Sequence, residues 1–483
     1  MEKNTDDNAL IYQLDGRPSL RAAVPIGLQH VLAMFIGNLA PILLISGLVS
    51  SVTGMPIVTP QQQMLMIQSC MLASGLATLV QIYPIKLGKT TIQIGAGLPI
   101  VMGTSFGFMP TLIPIGLAHG INVILGSVLV ASFAGVFMGL FIKYLRKVFP
   151  PIVIGSILMA IGLNLLPVGV NNFAGGAGAQ NAFIEQQRLL GLGLEVPAHI
   201  AASAANFASW QNLLMGGVVF IIIVMLQRFA KGIFKVSAIL IGIATGYILA
   251  IILGQINFAS VAAASVIAPP MPFSIRPEFH LPSILAVVIM VMVSGIETMG
   301  HINGMTVAVW NREAKDKELQ GGLLADALGN MIASSFNTLP NTSFGQNIGI
   351  VSMSKVVNRF CIFIAALTLI LAGLSPKVGA VLAIIPPSVL GGAVITVFAM
   401  IMLNGIKMIA LAGFSDKNIF ILAITFGVGF AIGSNSLLVA NLPAALRFIF
   451  TNPIVAVSFI SITLNLLFPT STEDKAKSEG VAK

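Results

Sequence analysis

The chain has 483 residues, of which 56% are hydrophobic and only 8% charged, and its mean hydropathy is +0.97. Globular proteins carry roughly 25% charged residues, so an ordinary soluble protein is excluded; stretches of about 20 apolar residues, each long enough to span a bilayer, follow one another instead. The net charge of +9 is not a nucleic-acid signal, because the excess is distributed among the segments that connect these stretches and reads as topology.

Residues 1–21 are polar, with Asp6, Asp7 and Asp15, and lack the basic start and short apolar core of a cleavable signal. Apolar segments are then predicted at 24–49, 62–84, 92–117, 121–141, 148–170, 212–227, 236–254, 282–302, 320–339, 342–354, 357–375, 380–404, 418–435 and 448–469. The ninth and tenth are weak, but they would drop out as a pair and leave the parity of the topology unchanged. With the N-terminus inside, four of the 25 Lys and Arg residues (Arg188, Arg276, Lys377 and Arg447) fall in outside loops. The other 21 fall inside, in clusters such as Lys86/Lys89, Lys143/Arg146/Lys147, Arg228/Lys231/Lys235, Lys407/Lys417 and Lys475/Lys477/Lys483. That bias predicts an integral membrane protein with both termini cytoplasmic. The two longest loops, about 171–211 and 255–281, are predicted outside, and the short inside loops leave no room for an ATPase or regulatory module. Cys70 and Cys361 both lie in apolar segments, so no disulfide framework is expected, and no Cys/His spacing calls for a metal.

The sequence repeats itself. Thr104-Ser105-Phe106-Gly107 recurs as Thr342-Ser343-Phe344-Gly345, an offset of 238, and Pro150-Pro151 recurs as Pro386-Pro387, an offset of 236, with Gly155 and Gly391 each four residues past the second proline. Inside-predicted Lys86/Lys89 precede the first Thr-Ser-Phe-Gly, whereas inside-predicted Lys355/Arg359 follow the second. The halves therefore enter the membrane in opposite senses, a 7+7 inverted repeat of fourteen segments, as in secondary transporters whose site lies where the repeats meet. The duplicated element also reads as a broken span. Gly95, Gly97, Gly103 and Gly107 with Pro99 and Pro110 interrupt the third segment, and Pro340, Gly345 and Gly349 the tenth. Extended Thr-Ser-Phe stretches with half-helices at about 109–117 and 348–354 are expected, irregular backbone being tolerated at depth only where protein buries it or it lines a cavity. The plainer alternative is that these glycines only allow close helix packing.

Of sixteen acidic residues, only Glu297 and Asp326 lie inside apolar spans, and no Lys or Arg does apart from Arg359 at the very start of segment 357–375. A charge at bilayer depth costs about 2.5–3.5 kcal/mol or more, which marks an intramembrane carboxylate as functional by default. Glu297 and His301 are spaced i,i+4 on one helix face, a pair able to take and release a proton near neutral pH; a structural hydrogen-bonded pair is the alternative. Asp326 either joins in proton transfer or only supports the backbone of the tenth segment. His30 is expected to be a supporting donor. Gln346 and Asn347 offer amides to a planar polar ligand, and Phe106 a stacking face. No nucleophile–base pair or metal cluster suggests an enzyme.

These residues resemble the nucleobase–ascorbate transporter family (nucleobase/cation symporter family 2), over about residues 20–470. The most specific part is Gln346-Asn347-Ile348-Gly349-Ile350-Val351-Ser352-Met353-Ser354-Lys355, with Ser354 where the family usually has Thr; Gly295-Ile296-Glu297, Gly321-Gly322-Leu323-Leu324-Ala325-Asp326 and Gln29-His30 match further positions. The resemblance implies an all-α fold of fourteen spans with a core domain (22–147 and 281–377) and a gate domain (148–280 and 378–469), between cytoplasmic tails 1–21 and 470–483. It implies that Glu297 and Gln346 hold a base edge, that Phe106 stacks on its ring, and that main-chain groups near Gly107 and Gly345 complete the site. His301 matches uracil-type members, whereas Gln346 matches xanthine and urate carriers; the residue that touches the base is given more weight, so a purine is favoured over uracil. The implied function is proton-coupled nucleobase import by elevator-type alternating access, without cofactor, in a bacterial inner membrane, as a homodimer through the gate domain. An anion exchanger or channel of the same architecture is the rival of a different class.

Overall fold

The computed structural model describes residues 7–50, 53, 55–86, 88, 92–142, 150–433, 436–439, 441, 450 and 453–468. Lys3, Lys89, Lys143, Arg146, Lys147, Arg447 and the tail 470–483, all used in the topology above, lie outside the described residues.

The architecture is helical, with very short strands. In chain order its main elements are α1 (Leu20–Ser46), α2 (Pro60–Ile82), β1 (Met102–Thr104), α3 (Met109–His119), α4 (Ile121–Leu140), α5 (Pro151–Phe173), α6 (Trp210–Phe229), α7 (Ala238–Ile252), α8 (Leu281–Trp310), α9 (Asp316–Ser335), β2 (Asn341–Ser343), α10 (Gly345–Ser354), α11 (Arg359–Gly373), α12 (Pro376–Ala383), α13 (Pro387–Ala412), α14 (Asp416–Ile424) and α15 (Pro453–Leu467). Among the described residues, eight helices are long and apolar enough to cross a membrane, with α14 counted on to Gly433, and a ninth span results if α11 and α12, bent by 83°, are one.

Local sequence explains where these helices begin. Thr59 and Gln62 cap α2 reciprocally, side chain to backbone N–H in both directions, with Pro60 in the first helical position. The duplicated Pro-Pro is a duplicated helix start: Pro150 and Pro386 are extended, and Pro151 and Pro387 open α5 and α13. These two helices then pack against each other through small residues. A Cβ on Gly155 would meet the Gly405 carbonyl at 2.8 Å, one on Gly162 the Met402 backbone N at 2.5 Å, and one on Gly391 the Phe173 backbone N at 2.0 Å. Early residues of α5 thus face late residues of α13 and the reverse, so the repeated helices run antiparallel. Elsewhere α4 packs on α8 and α9, and α11 packs on α1 and α2, an exchange of partners that an inverted duplication produces.

The two Thr-Ser-Phe-Gly copies meet at the centre. β1 and β2 pair antiparallel, Met102 opposite Ser343, Gly103 opposite Thr342 and Thr104 opposite Asn341. So short a ladder leaves backbone groups to be satisfied by the surrounding helices. Met102 N–H donates to Thr78 Oγ1 (2.9 Å), Thr104 N–H to Asn38 Oδ1 (2.7 Å) and Asn341 N–H to Asn330 Oδ1 (2.6 Å).

Three expectations are corrected. The extended stretch ends at Ser105, and Phe106–Phe108 form a 3₁₀ turn into α3, because Ser105 Oγ accepts the Gly107 N–H (3.2 Å) and closes the turn. The second half-helix starts at Gly345 rather than 348: the Phe344 carbonyl accepts from Asn347 and Ile348, which puts Gln346 and Asn347 in the first turn of α10. The twelfth predicted segment, 380–404, straddles a break, with α13 running from Pro387 to Ala412 and α12 separate before it; the predicted loop 171–211 likewise contains helices Ala177–Gly191 and Ala198–Ala204.

Candidate functional site

Both half-helices begin at the β1–β2 pair, so the positive ends of their dipoles converge on one region. A narrow cleft with a free volume of about 60 Å³ lies there. One wall is Thr104–Gly107, Thr342–Gln346, Glu297 and His301; the other is Leu158 and Ile161 of α5 with Val397, Met400, Ile401 and Asn404 of α13. A few polar groups on apolar walls are the usual lining of a ligand pocket, but the free space is well below the roughly 300–1,000 Å³ such pockets commonly have, so the two walls lie close together here.

Six of the residues singled out in the sequence line this cleft: Phe106, Gly107, Glu297, His301, Gly345 and Gln346. Glu297 Oε2 lies 3.7 Å from where a Cβ on Gly107 would be, so carboxyl and glycine share one corner. The i,i+4 spacing brings His301 onto the same face of α8. Its Nδ1 is 2.9 Å from Ser343 Oγ, and its Nε2 is 2.8 Å from the position of a Cβ at Gly345. Any other residue at 345 would push the imidazole away from the start of α10. Phe106 meets Phe398 of α13 edge to face, ring centroids 5.2 Å apart. Among the described residues, neither the Glu297 carboxylate nor the Gln346 amide has a hydrogen-bond partner, and no cation pairs with Glu297 or Asp326.

The other three sit behind the wall. Asp326 is buried on α9, faced by the hydroxyls of Thr298 and Thr342, and one of its carboxylate oxygens has no partner. Ser294 Oγ donates to Thr342 Oγ1 (3.0 Å), Thr342 and Thr298 hydroxyls are 3.1 Å apart, and Ser343 Oγ donates to Thr298 Oγ1 (3.1 Å). A chain of hydroxyls therefore leads from His301 to Asp326. Asn347 turns away from the cleft, its Nδ2 donating to the His30 carbonyl (2.9 Å) and lying 3.1 Å from His30 Nδ1, which ties α10 to α1.

The structure adds polar residues that the sequence reading passed over. Asn38 of α1 accepts from Thr104 N–H, Thr104 Oγ1 (2.9 Å) and Ser74 Oγ (3.0 Å), and so fixes β1. Asn404 lines the cleft from α13, and the Thr298–Thr342–Ser343 hydroxyls link His301 to the buried Asp326. Asn38 and Asn404 were visible by the rule that marked Glu297, a polar side chain inside an apolar span.

A permease family model, Xan_ur_permease, matches residues 21–209 and 195–437 of the chain. The chain belongs to the xanthine/uracil permease family. It is 31% identical to the xanthine permease of Bacillus subtilis over 452 residues, 93% of this chain and 94% of that protein. Identity to the uric acid permease PucJ of the same organism is 33%, covering 93% of each, and to the xanthine permease XanP of Escherichia coli K12 it is 30%, covering 96% of each. Family membership makes the chain an integral membrane permease rather than an enzyme. Its fold is shared more widely. The transmembrane domain of the cyanobacterial bicarbonate transporter BicA superposes with a TM-score of 0.52 at 14% identity, over 93% of this chain and 96% of that one. Murine Slc26a9, an anion transporter in the inward-facing state, gives 0.58 at 12% identity, over 95% of this chain and 70% of that one.

Proposed function

We propose that this permease is a proton-coupled purine importer, for xanthine or urate, working by elevator-type alternating access. The observation that carries the reading is the placing of Glu297 and Gln346, one carboxyl and one amide without hydrogen-bond partners among the described residues, on the wall of a slot beside the starts of two half-helices. A planar base with neighbouring carbonyls and N–H groups suits that wall. The carboxyl and amide would bind its edge, Phe106 would supply a ring face, and the N–H groups near Gly107 and Gly345 would receive its oxygens. The names of the full-length relatives, xanthine and uric acid permeases, support purine over uracil.

In the transport cycle, protonation of Glu297 would let the carboxylic acid donate to the base without a buried charge, and loss of that proton inside would release both. The hydroxyl chain from His301 to Asp326 gives the proton a second carboxyl to share. Residues 22–147 and 281–377 would move as a core against a gate of 148–280 and 378–469, fourteen spans in all, with the slot on the boundary. Both termini would be cytoplasmic, the membrane a bacterial inner membrane, and the gate the dimer surface. A carboxylate on the slot wall argues against an anion exchanger or channel. The test is uptake of labelled xanthine, urate, hypoxanthine, guanine and uracil into proteoliposomes with and without an imposed pH gradient. The reading predicts purine accumulation that collapses with the gradient; a preference for uracil, or flux indifferent to the gradient, contradicts it.

A further inference from the structure

A larger cavity, about 630 Å³, shares Gln346 and Met400 with the slot and is lined by Lys235 and Lys407. Another cavity, about 520 Å³ and lined by Gly175–Asn181 among others, shares no lining residue with the slot among the described residues. The first cavity is unusual in its charge. Lys235, from the short helix Gly232–Val236, and Lys407, from α13, both line it beside Gln29, Gln227, Gln346 and Ser354, and among the described residues no Asp or Glu does. Both lysines are exposed, and neither forms an ion pair among the described residues.

A requirement of topology alone would be met by lysines anywhere near the span ends. Two lysines from separate elements, converging on the passage to the slot with no counter-charge among the described residues, do more than that. A cleft lined by one sign of charge between low-dielectric walls focuses its field and concentrates oppositely charged solutes. We infer that Lys235 and Lys407 form an anion-collecting mouth that makes the open carrier favour purine anions, urate above all, over neutral purines. The inference rests on the purine reading above. Urate is a monoanion at neutral pH and hypoxanthine is neutral; their ring edges differ too, and the slot reads that difference, but the electrostatic part of the discrimination is the part that the two lysines and the ionic strength alter. With the proposed orientation the mouth is cytoplasmic, so intracellular urate would occupy the inward-open carrier more readily than an equal concentration of hypoxanthine.

The test is equilibrium binding of labelled urate and of labelled hypoxanthine to the purified full-length protein, at low and high ionic strength. It compares wild type with the double variants Lys235→Gln/Lys407→Gln and Lys235→Arg/Lys407→Arg. The glutamine pair should weaken urate by about tenfold at low ionic strength, the low end of what cleft focusing gives, and leave hypoxanthine unchanged. The arginine pair should bind urate as wild type does. High ionic strength should bring wild type down to the glutamine pair, since screening shortens the reach of exposed charges to about 8 Å and below. Unchanged urate binding, an equal loss for both purines, or failure of arginine to restore urate overturns the inference. If the glutamine pair binds neither purine and the arginine pair binds both, the charges serve the fold and the inference is likewise overturned. Wild-type protein that binds no purine would remove the proposed function itself, and this inference with it.

Discussion

At the scale of single residues, the slot is a question of donors and acceptors. Gln346 presents both; a carboxylate in its place only accepts. A purine-dione offers carbonyl oxygens next to N–H groups, which an amide can match with two opposed hydrogen bonds. Gln346→Glu sets an anionic oxygen against one of those carbonyls, where an unpaired polar group costs about 1–3 kcal/mol. Xanthine affinity should fall by about tenfold or more, since 1.4 kcal/mol is a factor of ten, and any gain should go to uracil. Competition by xanthine, urate, guanine and uracil against one labelled base, in wild type and variant, reads this directly; an unchanged order of inhibition means that Gln346 does not read the base. Much of the wall was legible in the sequence because polar residues in apolar spans are rare and costly: Glu297 and Asp326 stand out among sixteen acids. Asn38 and Asn404 carry no formal charge and were passed over, and which of Glu297, Asp326, His30 and Asn347 faces the slot depends on helix rotation, which spacing gives only within a helix, as for Glu297 and His301.

At the scale of elements, the duplicated motifs have different physical purposes. Thr-Ser-Phe-Gly makes the strand pair and the helix starts whose positive dipole ends converge on the slot, whereas Pro-Pro starts the two long helices that face one another. Their contact is backbone to backbone. Gly391 has the Phe173 N at 2.0 Å from an added Cβ and Gly162 has the Met402 N at 2.5 Å, and neither neighbour is a flexible side-chain end. Gly162→Ala and Gly391→Ala should each destabilise the purified protein by about 1–3 kcal/mol, the usual cost of overpacking, seen as a lowered thermal transition. Gly304→Ala on α8, where an added Cβ meets nothing within 4 Å, should leave the transition unchanged or raise it. Equal transitions for all three would mean that α5 and α13 are not this close. The repeat itself could be read from the sequence, because an offset survives divergence. The start of α10 could not, because it depends on the Phe344 carbonyl and the pairing of β2, contacts between residues far apart in the chain.

At the scale of the whole molecule, the slot lies between two sets of elements, the strand pair with α8 on one side and α5 with α13 on the other. Among the described residues it shares lining residues with the lysine-lined cavity, as expected of a carrier open to one side at a time. Carriage of a purine by such a device needs only the slot; accumulation against a gradient also needs a group that binds a proton with the purine and gives it up on the other side. Glu297 is that group in this account. The deciding measurement is made on Glu297→Gln in proteoliposomes, which keeps a hydrogen-bonding side chain but cannot exchange a proton, and it compares gradient-driven accumulation of xanthine or urate with binding of the same purine. The account predicts that accumulation is abolished while some binding remains; accumulation equal to wild type would contradict it.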